Sequence, residues 1–329
     1  MYIFEEIVGN EQMIHQIQKS ILKKHISHAY IIHGEAGSGK KLLANTIAKT
    51  LQCQKQQATP CNACSSCLTF DSKNHPDIFY IKAEKNKNSI SVEDIRQQLI
   101  KNMEIKQYKY PFKIFIIDKA DTMTISAQNA LLKTLEEPPY YGILFLLANN
   151  VDRFLPTILS RCVVIKLKPV ATNKIEQYLI EHHFAEKENS SVFAEYAQGS
   201  IGKAIEIASS ETFYEMREDI IQKLLSLNRK NLSETLLMAK ELETYKQSQQ
   251  FLDLIYLWYR DLLIYIKCHD IKYVIQKDQQ KNIIAQSKKE NETSIIKKTE
   301  AIWQAKQQLS VNSNFQLTME VMLMKLKES

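Results

Sequence analysis

Glycine and proline are scarce in this 329-residue chain, at seven each, and neither occurs beyond residue 202. All prolines lie at or before Pro169 and all glycines at or before Gly202, so 203–329 lacks the two residues that most often interrupt a helix. Rich in Leu, Ile, Lys, Gln and Glu, that stretch reads as consecutive helices. Long apolar runs are also missing: the longest wholly apolar stretch, Ile143 to Ala148, is far too short to span a bilayer. Met1 to Ser20 alternates apolar with charged residues and has no apolar core segment, so the expectation is no signal peptide, no membrane and a cytoplasmic location. Charge of one sign does not dominate. The 43 basic residues exceed the 37 acidic ones by six, and the pI is near 8.8, a balance that by itself names no nucleic-acid or acidic partner. With 44% hydrophobic and 24% charged residues the composition is that of a folded globular protein, long enough for two or three domains.

Cysteine is unevenly used. Of six, four fall within fifteen residues as Cys53-x7-Cys61-x2-Cys64-x2-Cys67. Without a signal peptide this crowding favours a metal over disulfides. Four thiolates at such spacing can close around a tetrahedral Zn²⁺ and leave no open position, so the expected cofactor is a structural zinc. Cys162 and Cys268 read as ordinary, partly buried thiols.

Periodicity divides the chain. In the breaker-free part, Phe251, Leu254, Trp258, Leu262 and Ile266 form one apolar helix face, and Phe315, Met319, Met322 and Leu326 form another. The Lys- and Gln-rich patch from Gln276 to Lys281 reads as a solvated helix end or loop. Before residue 168, β-rich runs at Ala29 to His33, Asp77 to Ile81, Lys113 to Asp118, Gly142 to Ala148 and Val163 to Leu167 alternate with helical patterns. Leu43, Ile47 and Leu51 mark one such helix. Ile95, Leu99 and Met103 mark a second, after a Ser91-x-x-Asp94 capping box, and Ala127, Leu131 and Leu135 a third, stopped by Pro138-Pro139. Strands alternating with helices predict a parallel sheet covered on both faces, with a phosphate site at the carboxyl ends of its strands.

That site has its own absences. Gly34-x2-Gly37-x-Gly39-Lys40 follows a strand and opens a helix, the context in which a P-loop wraps a phosphate with backbone N–H groups and a lysine. The next residue is Lys41 where a Mg²⁺-binding Ser or Thr belongs. At the end of the third strand Asp118 is placed to serve a metal, but Lys119 follows where an ATPase of this layout carries its general-base carboxylate. ATP or ADP binding and a relic loop that binds nothing both stay open, while hydrolysis by this chain is disfavoured twice. Arg161, in Ser160-Arg161-Cys162, reads either as an arginine finger or as a surface residue.

Together these residues resemble the clamp-loader branch of the AAA+ ATPases. His28-Ala29-Tyr30, the four-cysteine loop, His75-Pro76-Asp77, the segment from Ala127 to Pro139 and Ser160-Arg161-Cys162 all look like landmarks of that family. The resemblance implies an α/β P-loop AAA+ domain over 1–168 with a zinc-binding insertion at 53–67, a small helical lid over 169–208 and an all-α collar over 209–329. It makes Asn149 the polar sensor after the fourth strand and Gly202 the position of a phosphate-contacting lid arginine that is missing here. It makes Arg161 a finger acting in trans. It further implies a hetero-pentamer with gamma/tau and delta subunits that places a sliding clamp on primed DNA, with this chain as a non-hydrolysing member. Two rivals differ in class: a catalytically active loader ATPase of the gamma/tau type, and a zinc-dependent nucleic-acid-binding protein with a relic P-loop. The second is ranked last, because 53–67 offers only Lys55 as a cation and no aromatic for stacking.

Overall fold

A computed structural model describes residues 2–84, 87, 89–246, 251–310 and 313–328. The chain divides into two compact units, Met1–Ile175 with Gln198–Lys203, and Glu176–Ala197 with Ala204–Ser329.

The first unit is built on five parallel strands, β1 (Ala29–His33), β2 (Ile78–Ile81), β3 (Lys113–Ile117), β4 (Gly142–Ala148) and β5 (Val163–Lys166), in the order β2-β3-β4-β1-β5. All of β3 and β4 is buried, as expected of strands covered on both faces. The pleat sorts their side chains: Phe115, Ile117, Leu144 and Leu146 face the helical run at 92–103 and the Ile125–Glu136 helix. Ile114, Ile116, Phe145 and Leu147 face the other way, towards α1 (Glu11–Leu22), α2 (Lys40–Gln52) and α3 (Ser65–Asp71). Asp77, expected in β2, lies just before it, because its carboxylate accepts the amides of Tyr108 at 2.6 Å, Lys109 at 3.2 Å and Tyr110 at 3.3 Å and so ties down the approach to β3.

Local sequence signals explain the helix limits. Ser91 and Asp94 form the reciprocal capping box, and Thr124 caps the Ile125–Glu136 helix through Ala127 N–H. Ile95, Leu99 and Met103 are buried on one face as the spacing predicts, yet Arg96–Ile100 is wound as π-helix, a change of pitch that apolar spacing does not reveal.

In the second unit the Phe251–Cys268 helix buries Phe251, Leu254, Trp258 and Leu262, with Ile266 half-buried, and the Phe315–Glu328 helix buries Phe315, Met319, Met322 and Leu326. Asp261 interrupts the apolar pattern. It is fully buried, and burial pushes its carboxyl up while the amides of Gln276 and Ile275, at 2.9 and 3.2 Å, and Arg260 hold it down. Its grip corrects one expectation: Gln276 is buried against Arg217 and is no part of a solvated loop. Among the described residues no helix is long and apolar enough to cross a membrane.

Candidate functional site

The phosphate loop lies where β1 gives way to α2. Gly37 and Gly39 take left-handed backbone at φ +74° and +91°, conformations that side chains rarely tolerate, and this lets the loop turn in on itself. Lys40 Nζ is drawn into that turn, donating to the carbonyls of Gly34 and Glu35, both at 2.7 Å, and to Asn149 Oδ1 at 2.9 Å. Burial lowers its pKa, and the charges of Asp121, Glu35 and Asp118 offset part of the shift. Lys41 takes a different course: its ammonium lies 3.3 Å from Asp118 Oδ2, with 51% of its side chain exposed. Lys119 follows in left-handed backbone at φ +52°. A cavity of about 370 Å³ is lined by the loop and by Lys40, Lys41, Asp118, Lys119 and Asn149. Thus Gly34, Gly37, Gly39, Lys40, Lys41, Asp118 and Asn149, named from sequence, do converge, but the donors present do not fit Mg²⁺. The only carboxylate lining this cavity among the described residues is engaged by an ammonium, and the neighbouring hydroxyl ligand is replaced by that same lysine.

Two supports of the loop escape sequence reasoning. Asp121, three residues beyond Asp118, accepts the amides of Asn149 at 3.1 Å and Asn150 at 3.2 Å and so fixes the sensor position. Far along the chain, Ser200 Oγ donates to the carbonyl of Ala36 at 2.8 Å, and Gly202 N–H to that of Gly37 at 3.0 Å. A Cβ built on Gly202 would stand 2.8 Å from Gly37 Cα, so the backbone itself fills the space that a side chain would need. The only sequence signal for this contact is the pair of glycines flanking Ser200. Gly37→Ala should therefore destabilise the chain by about 1–3 kcal/mol, since it combines strained backbone with a Cβ 2.5 Å from Ser200 Oγ and 2.9 Å from Lys203 N. An unchanged urea midpoint would show that the loop is not latched in solution.

The four cysteines come together after α2. Their Sγ atoms all lie within 4.8 Å of one another, and Cys61 and Cys67 are 4.0 Å apart. Four sulfurs about 2.3 Å from a central zinc stand roughly 3.8 Å from each other, so the donor set fits a tetrahedral ion with slight contraction. The amides of Cys61, Cys64 and Cys67 point at the sulfurs of Cys53, Cys61 and Cys64, at 3.4, 3.4 and 3.5 Å, which favours the thiolate form. Backbone donation from Ala63 and then Cys64 holds the Cys61 thiol down at about 6, whereas burial pushes Cys67 up. Lys49 seals the module from beneath. Although a lysine in a helix reads as solvent-facing, its side chain is 0% exposed, and Nζ donates to Asn62 Oδ1 at 2.6 Å and to both Asp71 oxygens at 2.8 Å. Cys162 packs against the core and burial raises it to about 12, while Cys268 is exposed, not partly buried as expected.

Arg161 is not brought to the phosphate cavity. It follows the Pro156–Leu159 helix, and its guanidinium donates to Thr157 O at 3.0 Å and Ser160 Oγ at 3.3 Å and pairs with Glu136 Oε1 at 2.9 Å, with 35% of the side chain exposed. Glu136 ends a helix whose following prolines prevent it from continuing, which fixes the partner's place.

A parallel sheet ordered β2-β3-β4-β1-β5, a P-loop after β1, an aspartate at the end of β3 and a polar residue after β4 define an α/β P-loop protein of the AAA+ class, here with a helical C-terminal region and a four-cysteine module. A family model described as DNA polymerase III, delta subunit, matches residues 9–171. DNA polymerase III subunit delta' of Bacillus subtilis (strain 168) is 28% identical over 316 residues, covering 95% of this chain and 94% of that one. DNA polymerase III subunit tau/gamma of Haemophilus influenzae is 34% identical over 248 residues, 72% of this chain but 35% of that one, so the chain spans about a third of that relative's length. Among solved structures, a gamma subunit-related protein of Thermotoga maritima superposes with a TM-score of 0.41 at 18% identity, over 96% of this chain and 98% of that one. The chain belongs to the delta-prime family of bacterial DNA polymerase III subunits, within the clamp-loader branch of the AAA+ ATPases.

Proposed function

We propose that this chain is a non-hydrolysing subunit of a clamp loader, supporting ATP-dependent placement of a sliding clamp on primed DNA and supplying Arg161 in trans to a neighbouring subunit's ATP. The observation that carries the reading is the ion pair between Lys41 and Asp118, which puts an ammonium where hydrolysis needs a metal, beside a lysine in place of the base. Arg161 keeps a permanently charged fork that can serve phosphate oxygens on another molecule. In this reading 1–168 is the nucleotide-binding-like domain with its zinc module at 53–67, 169–208 a helical lid and 209–329 the collar. The collar joins gamma/tau and delta subunits in a cytoplasmic hetero-pentamer. Zinc, held by Cys53, Cys61, Cys64 and Cys67, supplies a closed structural cross-link and no reactive position.

The isolated chain is therefore expected to show no steady-state ATP hydrolysis above background. A turnover like that of ordinary P-loop ATPases, lost in Lys40→Ala, would replace this reading with that of an active gamma/tau-type subunit.

A further inference from the structure

The phosphate cavity carries its own surplus of positive charge. Three lysines line it, Lys40, Lys41 and Lys119, against the single carboxylate of Asp118. In a P-loop that works with Mg²⁺, a hydroxyl and a strand-end carboxylate converge on the metal, which bridges the terminal phosphates. Here the two positions still converge, 3.3 Å apart, but one of them is itself the cation. A divalent ion at that point would have to displace Lys41 from Asp118 and then sit beside its ammonium.

We propose that this loop takes a di- or triphosphate group, such as a nucleotide carries, without Mg²⁺, with Lys41 as the built-in counter-cation. The inference rests on the reading of the chain as a non-hydrolysing loader subunit and says what its disabled site binds. The two lysines divide the work. Lys40, drawn into the turn by two loop carbonyls and Asn149, exchanges those acceptors for phosphate oxygens. Lys41 is half exposed and tied by one ion pair, so its four-carbon stem can carry the ammonium from Asp118 to a bridging position between Asp118 and the outer phosphate. At left-handed Gly39 nothing stands within 4 Å of where a Cβ would be, so that side of the loop is open to a phosphate, whereas the corresponding space at Gly37 is taken by Ser200, Gly202 and Lys203. An active site needs the metal to activate water and to stabilise the leaving group, whereas a site that only holds nucleotide needs charge balance, and a fixed ammonium supplies it at every Mg²⁺ concentration.

The test is calorimetric titration of the full chain, zinc retained, with ADP, ATP and pyrophosphate, with and without Mg²⁺. The Mg²⁺-free buffer is stripped of divalent ions beforehand, because a chelator added to the protein would remove the zinc. The expected result is an ADP and ATP affinity that changes by no more than about twofold between the two buffers. Lys41→Ser should weaken Mg²⁺-free binding by about tenfold or more, the scale of a lost hydrogen bond to a charged group, and added Mg²⁺ should restore most of it. Lys41→Met removes the charge at similar size and should show the same loss without the Mg²⁺ rescue. Lys40→Ala should abolish binding in both buffers, which assigns the heat to this loop. Pyrophosphate should show the same Mg²⁺ independence and the same loss in Lys41→Ser, since every group invoked meets phosphate, whereas pyrophosphate binding that requires Mg²⁺ would overturn the proposal. Wild-type binding that tightens about tenfold with Mg²⁺, an unchanged Lys41→Ser, or no binding at all would overturn the proposal. If no nucleotide binds yet Arg161 still governs loading, this inference fails alone. If binding follows the expectation and Arg161→Ala loads normally, the assigned function fails instead.

Discussion

Changing Cys53, Cys61, Cys64 and Cys67 together to serine should strip the purified chain of zinc and lower its unfolding midpoint well beyond the effect of losing four thiols. The sulfurs are already within 4.8 Å of one another, so little reorganisation separates this arrangement from the bound one. Structural zinc contributes folding free energy directly, because the unfolded chain offers no preformed site. A second cost comes from Lys49. Both partners of its buried ammonium, Asn62 and Asp71, belong to the segment that the cysteines hold, so loosening that segment leaves a charge without compensation inside the first unit. Breaking a buried pair in this way costs about 3–5 kcal/mol, at the lower end here because Asp71 keeps some exposure. Metal analysis and urea unfolding check the expectation. Substoichiometric zinc in the wild type, or a midpoint that the four substitutions leave in place, would remove the zinc assignment.

Arg161→Ala should leave folding and zinc content intact and still cripple the reconstituted loader. Its pair with Glu136 is partly exposed on both sides, and such pairs contribute about 0–1 kcal/mol to stability. An arginine that reaches a transferring phosphoryl group in trans is worth roughly 10³–10⁵ in rate at that site. One of several ATP sites would be affected, so total hydrolysis should fall modestly while clamp loading falls by about tenfold or more, the loss expected when one step of an ordered sequence stalls. Arg161→Lys should not rescue, since a lysine presents no planar fork and cannot make two parallel bonds. Loading at the wild-type rate under limiting ATP would reduce Arg161 to the surface ion pair that the isolated chain displays.

Features written in local chemistry were legible before any coordinates. Breaker placement, alternation and caps locate β1 and β4 to the residue, the capping box at Ser91 and the stop at Pro138-Pro139, because each depends on neighbours a few positions away. The four-cysteine spacing was legible for the same reason. What escaped depends on partners distant in sequence. Nothing around Lys49 announces that a lysine on a helix will be buried, since Asp71 lies 22 residues on. Asp121 reads as one more loop acid until β4 delivers Asn149 to it. The latch from Ser200 and Gly202 to Ala36 and Gly37 spans more than 160 residues, and Gly202 seen alone looks like a missing arginine more than a close backbone approach. The left-handed turn that places Lys119 and the π-wound stretch after Ile95 depend on tertiary context that propensity does not carry.

That latch also sets an order of events during synthesis. The first unit is discontinuous, leaving off at Ile175 and resuming at Gln198 for six residues before the chain departs again. Once the chain has been made as far as Ile175, all five strands and the cysteines at 53, 61, 64 and 67 have been synthesised. The carbonyls of Ala36 and Gly37 cannot yet meet their donors, which lie at Ser200 and Gly202. The sequence for the sheet and the four-cysteine module is thus complete before the donors that finish the phosphate loop exist, and the loop can take its final shape only after translation has reached Gly202.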